Sequence, residues 1–344
     1  MKPVLTPSTQ WQERIAPDEA ERHAHQARQF VEIQRRKSAA YGTGRALHRK
    51  QLTAAQGLLE VLDGLPPFAH HGLFAAPGVH DVWVRLSNGG PDRAGDRQPD
   101  IRGFAIKVFG VHGRSALGGD TTASQDFTLI NQEAFGFTDS AEFTGFAVAA
   151  SRSKAALLPY LFRRYGLLSA PAKLLQILRA VGRPFSGFAT EPLHSAVPMA
   201  CGPYAVRVRL LPDPSNALWE GGAGNAGARG EATAQARSDW GADFSARLRT
   251  NALHWDLQLQ FFVNEELTPI EDASVNWSSP YTTVARLILP PQDTGSAEGQ
   301  ALAARAEAGV FDPWQALAEH RPLGDVQRAR KVAYFASQQE RGAA

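Results

Sequence analysis

The chain has 344 residues, of which 43% are apolar and 20% charged, so a wholly disordered protein is excluded. The formal net charge is only +2 and no long run of basic residues occurs, which excludes the electrostatic footprint of a nucleic-acid-binding protein. Cys201 is the single cysteine, so an intrachain disulfide and a cysteine-based zinc or iron–sulfur site are excluded as well.

The chain shows neither a secretory signal nor a membrane-spanning segment. Its first residues lack the apolar stretch of a signal peptide. No uncharged apolar run approaches the roughly 18 residues that a membrane span needs. We therefore expect a cytoplasmic protein.

The predicted elements begin with a polar helix from Asp18 to about Ala40, whose few large apolar residues include Phe30 and Ile33. We interpret residues 1–40 as an N-terminal helical arm and residues 41–344 as one barrel domain. The arm is followed by short strands rich in β-branched and aromatic residues, at 57–61, 81–87, 101–109, 127–131, 204–211, 255–263 and 282–289. Strands joined by such uneven connections favour an antiparallel barrel or sandwich over a doubly wound sheet.

Helical material interrupts the strands and closes the chain. Residues 140–151 and 155–181 have helical apolar spacing, with breaks predicted at Pro159, Gly166 and Pro171. The Gly/Ala-rich stretch Gly221–Gly230 is predicted to be a flexible surface loop. The tail from Asp325 to Gly342 predicts a helix with an acidic start and a glycine at its end.

The tail helix carries the first chemical pattern. Arg330 and Tyr334 are four residues apart and lie on one helix face, and Arg341 follows on roughly the same face. Neighbouring guanidinium groups favour the ionised form of a phenol, and tyrosinate is a known haem-iron ligand. Because an Arg-x-x-x-Tyr pair is also common on solvated helix faces, the pattern is not sufficient alone.

Four further stretches give this pattern a context, namely Arg45-Ala-Leu-His48, Val84-Arg85-Leu-Ser87-Asn88, Asp100-Ile-Arg102-Gly-Phe-Ala-Ile-Lys107 and Asp126-Phe-Thr-Leu-Ile-Asn131. Together with the tail, over residues 45–341, their order and spacing resemble the haem-dependent catalase family. The resemblance is greatest to short catalase-related peroxidases that lack the C-terminal helical domain. It implies an α+β fold, in which wrapping helices and a C-terminal haem-ligating helix surround a catalase-like antiparallel β-barrel.

The resemblance also implies a role for individual residues. His48 and Asn131 match the distal pair above the iron, and Ser87 matches the serine that orients the histidine. Tyr334 matches the proximal iron ligand, with Arg330 as its hydrogen-bonding partner. The remaining matches contact the haem: arginines that pair with propionates or flank the proximal side, and aromatics of the pocket wall, namely Arg45, Arg85, Arg341, Phe135 and Phe143.

The resemblance implies one haem b per chain, a small-molecule peroxide as substrate and an organic reductant. Since the helical domain of full-length catalases is not seen after the tail helix, we expect a shorter, wider access route. Peroxidase activity with weak catalase activity is then the leading expectation, in a homo-oligomer, most simply a dimer. Gln51 stands where the family usually has glycine, so a bulge is expected after His48.

Two alternative functions stay open. One is a fatty-acid hydroperoxide isomerase or lyase of the allene oxide synthase type, whose members carry threonine before the distal histidine. Leu47 in that position favours the catalase side. The other alternative is a haem-binding protein without turnover, although simple binding needs neither His48 nor Asn131.

Residues 152–190 form a separate pattern, with seven basic residues and no acidic one, interleaved with leucines. Such a basic amphipathic segment is typical of peripheral contact with anionic lipid. The competing interpretation is a set of helices packed on the barrel or at a dimer contact, with the charges in water.

Overall fold

The computed structural model describes residues 5–217 and 239–343, so the predicted loop Gly221–Gly230 lies outside the described residues. Nine strands belong to one antiparallel sheet. They are β1 (Gln51–Val61), β2 (Gly78–Asn88), β3 (Arg102–Val108), β4 (Gln125–Ile130), β5 (Leu193–His194), β6 (Met199–Cys201), β7 (Tyr204–Pro212), β8 (Leu253–Phe261) and β9 (Tyr281–Leu289).

The sheet closes into a barrel. Its order is β5-β4-β3-β2-β1-β9-β8-β7-β6, and β5 also pairs with β7, so eight strands form a ring with β6 beside it. The predicted α+β antiparallel barrel is confirmed, and the sandwich alternative is not. The strands β5 and β6 were not predicted, because two or three residues are too few to show a pattern of alternation.

The barrel interior is filled by apolar side chains that alternate along the strands. Fully buried examples are Leu86, Phe104, Leu129 and Trp255. Gly57 permits close approach of β1 to β9, because a Cβ atom there would lie 2.3 Å from the carbonyl oxygen of Ile288. The core therefore occupies the inside of the barrel, and any cavity for a large ligand must lie outside it.

Six helices of the described residues cover the outer face: α1 (Glu19–Tyr41), α2 (Ser140–Arg152), α3 (Lys154–Val181), α4 (Trp240–Thr250), α5 (Ala297–Ala308) and α6 (Asp325–Glu340). The predicted N-terminal arm is α1, which runs beside α6 along its whole length. The alanine-rich α5 was not predicted from the sequence, since it lacks the large apolar residues that mark a buried face. None of the described helices combines the length and apolar composition of a membrane-spanning segment.

The helix α3 differs from its prediction at the two prolines. Only Gly166 leaves helical geometry, with φ of 73°, and helix continues through Pro159 and Pro171. Pro159 is the sixth residue of the first half and Pro171 the fifth of the second, so each removes one backbone hydrogen bond in the second turn without ending the helix. Gly166 alone therefore divides α3 into two halves.

Candidate functional site

Two rows of residues cross the outer faces of β2, β3 and β4. Arg85, Ala105 and Thr128 are paired across the three strands in one row. Ser87, Gly103 and Ile130 are paired in the next such row. Because alternate residues of a strand share a face, both rows point away from the barrel core. The small side chains of the middle strand leave a depression between the polar groups of its neighbours.

A cavity of about 210 Å³ lies over this depression. Helices α1, α2 and α6 form its other walls, and residues of α1 such as Gln26 and Phe30 line it. The predicted arm thus contributes directly to the cavity. Nine of the ten predicted site residues line it: Arg45, His48, Arg85, Ser87, Phe135, Phe143, Arg330, Tyr334 and Arg341.

His48 is held rigidly on the barrel side of the cavity. Its backbone adopts the left-handed conformation, with φ of 50°. This conformation is held by hydrogen bonds at both backbone groups, since the His48 N–H donates to Gly89 and Arg85 donates to the His48 carbonyl, at 2.9 Å each. The ring Nδ1 lies 3.0 Å from the Ser87 hydroxyl. Nε2 has no hydrogen-bond partner among the described residues.

The surroundings of His48 favour its neutral form. Burial, together with the positive charges of Arg85, Arg330 and Arg45, lowers the pKa of its imidazole to about 3. Gly103 packs against the same ring, because a Cβ atom there would lie 2.5 Å from the histidine Nδ1. His48 is therefore a neutral imidazole whose ring is confined between Ser87 and a strand glycine.

The α6 wall of the cavity carries Tyr334 and Arg330. Arg330 donates to the Tyr334 hydroxyl at 2.7 Å and to the Thr128 hydroxyl at 2.9 Å. Its guanidinium carbon also lies 4.9 Å from the centre of the tyrosine ring. The predicted spacing of four residues thus produces the predicted contact, and Thr128 links α6 to the barrel.

Three arginines converge on the C-terminal end of α5. Arg45 and Arg341 both donate to backbone carbonyls between residues 306 and 309, which are the unpaired acceptors of that helix end. Glu307 pairs with Arg45 at 3.0 Å and with Arg85 at 2.8 Å. The helix end therefore fixes a cationic group at one side of the cavity.

This cationic group is only partly neutralised. It contains three guanidinium groups and one carboxylate, that of Glu307. Burial lowers the pKa of Arg45 to about 9, and the charge of Arg85 contributes in the same direction. An excess of two positive charges beside a cavity suits a ligand with two carboxylates, which arginine binds in a bidentate manner.

Two predicted aromatics occupy the α2 side of the cavity. Phe135 and Phe143 meet edge to face at 4.7 Å between ring centroids, and both line the cavity. Asn131 is not among the residues that line the cavity, although it directly follows Ile130, which does. It follows β4 and is buried, and its side-chain oxygen accepts the backbone N–H of Arg102 at 2.8 Å. Its place is at the paired ends of β3 and β4, beside Gly103.

Sequence reasoning missed three residues of this site: Gly103 as a neighbour of His48, Thr128 and Glu307. A signal was present for the first two. Gly103 and Thr128 occupy outward positions of strands whose alternate residues are large and apolar. Glu307 gave no such signal, because its helix was not predicted. The bulge expected after His48 is present between Gln51 and Thr53, and the Gln51 side chain accepts a hydrogen bond from Arg85.

The fold is similar to that of solved catalases. Catalase A from Saccharomyces cerevisiae matches 87% of this chain with a TM-score of 0.66 at 17% identity, and a fungal catalase matches 87% with 0.65 at 18%. A bacterial catalase matches 99% of this chain with 0.61 at 14% identity. The chain covers 61%, 59% and 63% of these three chains, respectively. No family model and no curated protein matches the sequence. The chain thus has a catalase-like fold.

Proposed function

We propose that the cavity binds one haem b and that the chain reduces hydrogen peroxide or organic hydroperoxides with an organic electron donor. The observation that carries this proposal is the presence of two pairs in one cavity, His48 with Ser87 and Tyr334 with Arg330. Neither pair alone identifies a haem enzyme. Together, in a catalase-like fold, they would supply one residue to hold a haem iron and one to move a proton.

The donor set fits haem. Tyr334 would hold the haem iron, because tyrosinate is an established haem-iron ligand and Arg330 provides the neighbouring positive charge. Arg45, Arg85 and Arg341 would pair with the two propionates, whose charge matches the excess left by Glu307. Phe135 and Phe143 add apolar contact area. Bound haem would supply a ferric centre at which the O–O bond of a peroxide is cleaved.

His48 moves the proton in this proposal. With a pKa of about 3, its imidazole is neutral at physiological pH, and Nε2 can accept the hydroperoxide proton. Ser87, at Nδ1, fixes the ring orientation. The same nitrogen then returns the proton to the departing oxygen, which leaves as water or an alcohol. His48 therefore acts as a shuttle and is unchanged at the end of the transfer.

Asn131 would assist His48 in this proposal. Its side-chain oxygen is held by the backbone N–H of Arg102, while its amide nitrogen has no hydrogen-bond partner among the described residues and is free to donate to a peroxide. Peroxidase activity is proposed as the main reaction, with weak catalase activity beside it.

The absorption spectrum of haem-supplemented protein tests the proposal. We expect a Soret band with high-spin ferric tyrosinate features that shifts when peroxide is added. Tyr334→Phe should lose or loosen haem, whereas Tyr281→Phe, outside the cavity, should keep the wild-type spectrum. The absence of a Soret band in the wild-type protein would overturn the proposal.

Turnover and products test the roles on the barrel side. His48→Ala should bind haem but lose peroxide turnover, while His80→Ala, which lies on β2 away from the cavity, should retain it. A reduced alcohol together with oxidised donor indicates a peroxidase. An allene oxide or aldehyde formed without donor consumption would indicate an isomerase or lyase instead.

A further inference from the structure

The helix α3 presents an apolar surface to solvent at its kink. Leu167 and Leu168 follow Gly166 directly and are 79% and 96% exposed. Both halves of α3 reach one carboxylate on α2, since Tyr165 donates its hydroxyl to Glu142 and Lys173 pairs with it at 2.7 Å. In a straight helix these two residues would be about 12 Å apart along the axis. The kink therefore folds α3 back and leaves the two leucines at its apex.

The apolar surface continues along both halves. Leu158 and Phe162 are four residues apart in the first half, and Leu175 and Leu178 are three apart in the second, so each pair shares a helix face. All four are between 41% and 59% exposed. Packing within the chain is provided by other residues of the two halves, because Leu161 and Ile177 are buried in a separate small core. The exposed residues are thus not required for packing within the chain.

The charge around this surface is of one sign. Residues 152–190 contain no acidic residue. Lys173 and Arg183 are paired with Glu142 and Glu191, at 2.7 and 3.6 Å. The other arginines of the segment are exposed and form no ion pair with a described carboxylate, namely Arg152, Arg163, Arg164 and Arg179. We call Leu167, Leu168 and these four unpaired arginines together the apex surface.

We propose that the apex surface docks the protein on an anionic lipid bilayer, with Leu167 and Leu168 inserted at the level of the headgroups. Partly inserted amphipathic helices bury their apolar side about 5–10 Å deep, within reach of a two-leucine apex. The arginines beside the apex would contact anionic headgroups. A second copy of the chain is the less suitable occupant, because a two-fold contact would bring unpaired arginines of both copies together. The docking does not depend on the proposed haem chemistry.

Vesicle flotation tests the docking. The full chain should co-migrate with vesicles of phosphatidylcholine and 30% phosphatidylserine at low salt, and not with phosphatidylcholine alone. Leu167→Ser/Leu168→Ser should weaken partitioning at least about tenfold. Arg163→Gln/Arg164→Gln should weaken it by about fivefold per arginine. Arg93→Gln/Arg97→Gln, which makes the same charge change on a distant exposed loop, should float like the wild type.

A fluorescent label locates the inserted residues. Cys201 is fully buried, so a polarity-sensitive thiol probe at Leu168→Cys labels the introduced residue selectively. Its emission should shift to the blue on anionic vesicles, while a probe at Leu117→Cys, also exposed, should not shift. Three results would overturn the proposal: no flotation at low salt, equal flotation of Leu167→Ser/Leu168→Ser, or a dimer that this variant dissociates without any lipid binding.

Discussion

The helix α6 joins two clusters of charged side chains that differ in their balance. Near its start, carboxylates and arginines of α1, α6 and neighbouring loops pair with one another: Glu13, Glu19, Glu271, Asp325, Arg22, Arg321 and Arg328. Near its end, three arginines lie together with a single carboxylate, that of Glu307, which pairs with two of them, while Arg341 donates to backbone carbonyls. We call them the balanced cluster and the cationic cluster.

The balanced cluster has four carboxylates for three arginines, and these groups pair with one another. Arg328 pairs with Glu13 and Glu19 at 2.7 Å and with Glu271 at 3.0 Å. Burial alone would raise the pKa of Asp325, but hydrogen bonds from His23 and Ser140 hold it below its usual range. Glu19, His23 and Asp325 are close enough to hold a metal ion, yet their oxygens already accept from arginines. This cluster is a structural joint between α1 and α6.

The charge balance of a buried cluster indicates whether it has a structural role or binds a ligand. Groups that neutralise one another inside the protein need no ligand. Buried cations in excess beside a cavity are costly unless an anion joins them. The cationic cluster is therefore the one expected to bind an anionic ligand, although both clusters are rich in arginine.

The largest effect is expected from Arg328→Met. This change removes one cation from three carboxylates, so the free energy of unfolding should fall by about 3–5 kcal/mol. Haem affinity of the folded fraction should not change. Urea denaturation and haem titration measure the two quantities. Arg35→Met, on an exposed ion pair, is the control and should leave stability unchanged. A stability loss in the control as large as in Arg328→Met would contradict the comparison.

Arg85→Gln should have the opposite effect, namely a large loss of haem affinity and a small loss of stability. Loss of a charge-assisted contact to a propionate should weaken haem binding about 10- to 100-fold. Stability of the haem-free protein should fall by only about 1 kcal/mol, because Glu307 retains Arg45. Titration of the protein with haem, followed at the Soret band, gives the affinity. Unchanged affinity would remove Arg85 from the proposed site.

The pH dependence of stability tests the neutral state of His48. Its pKa is about 3 in the folded chain and about 6.5 when unfolded, so the unfolded state binds the extra proton between these values. The contribution of neutral His48 to the free energy of unfolding is fully present above pH 6.5 and falls by about 1.4 kcal/mol per pH unit below it. Compared with His48→Asn, the wild type should therefore lose about 2 kcal/mol more from pH 6.5 to 5. If the free energy of unfolding, measured by urea denaturation, changed equally with pH in the two proteins, His48 would not be buried in its neutral form.

The smallest effect is expected from Glu307→Gln. Removal of this carboxylate raises the excess of positive charge from two to three. Because Glu307 is partly exposed, haem affinity should rise by no more than about fivefold at low salt, and the gain should disappear at high salt. Weaker binding would mean that Glu307 mainly orients the arginines.

Much of the fold was predictable because it depends on local patterns. The strands β2, β3, β4 and β8 alternate apolar residues with a period of two, and α6 begins and ends at typical residues. The breaks predicted at Pro159 and Pro171 were wrong, since the cost of proline depends on its place within a helix. The helix α5 was not predicted, and the end of that helix organises three site arginines.

The site was predictable in its residues more than in its arrangement. A contact four residues apart, such as Arg330 with Tyr334, follows from helix geometry. The rows across β2, β3 and β4 depend on strand register, which no local pattern reveals.

The burial of the β6 sulfur atoms has a consequence for the lifetime of the protein. Apart from the first methionine, the chain contains two sulfur atoms, in Met199 and Cys201, and both residues are buried. Burial raises the pKa of the Cys201 thiol to about 12, so the reactive thiolate is scarce. Oxidants attack exposed thiolates and thioethers first. A chain built in this way can meet oxidants repeatedly without oxidative inactivation through its own sulfur.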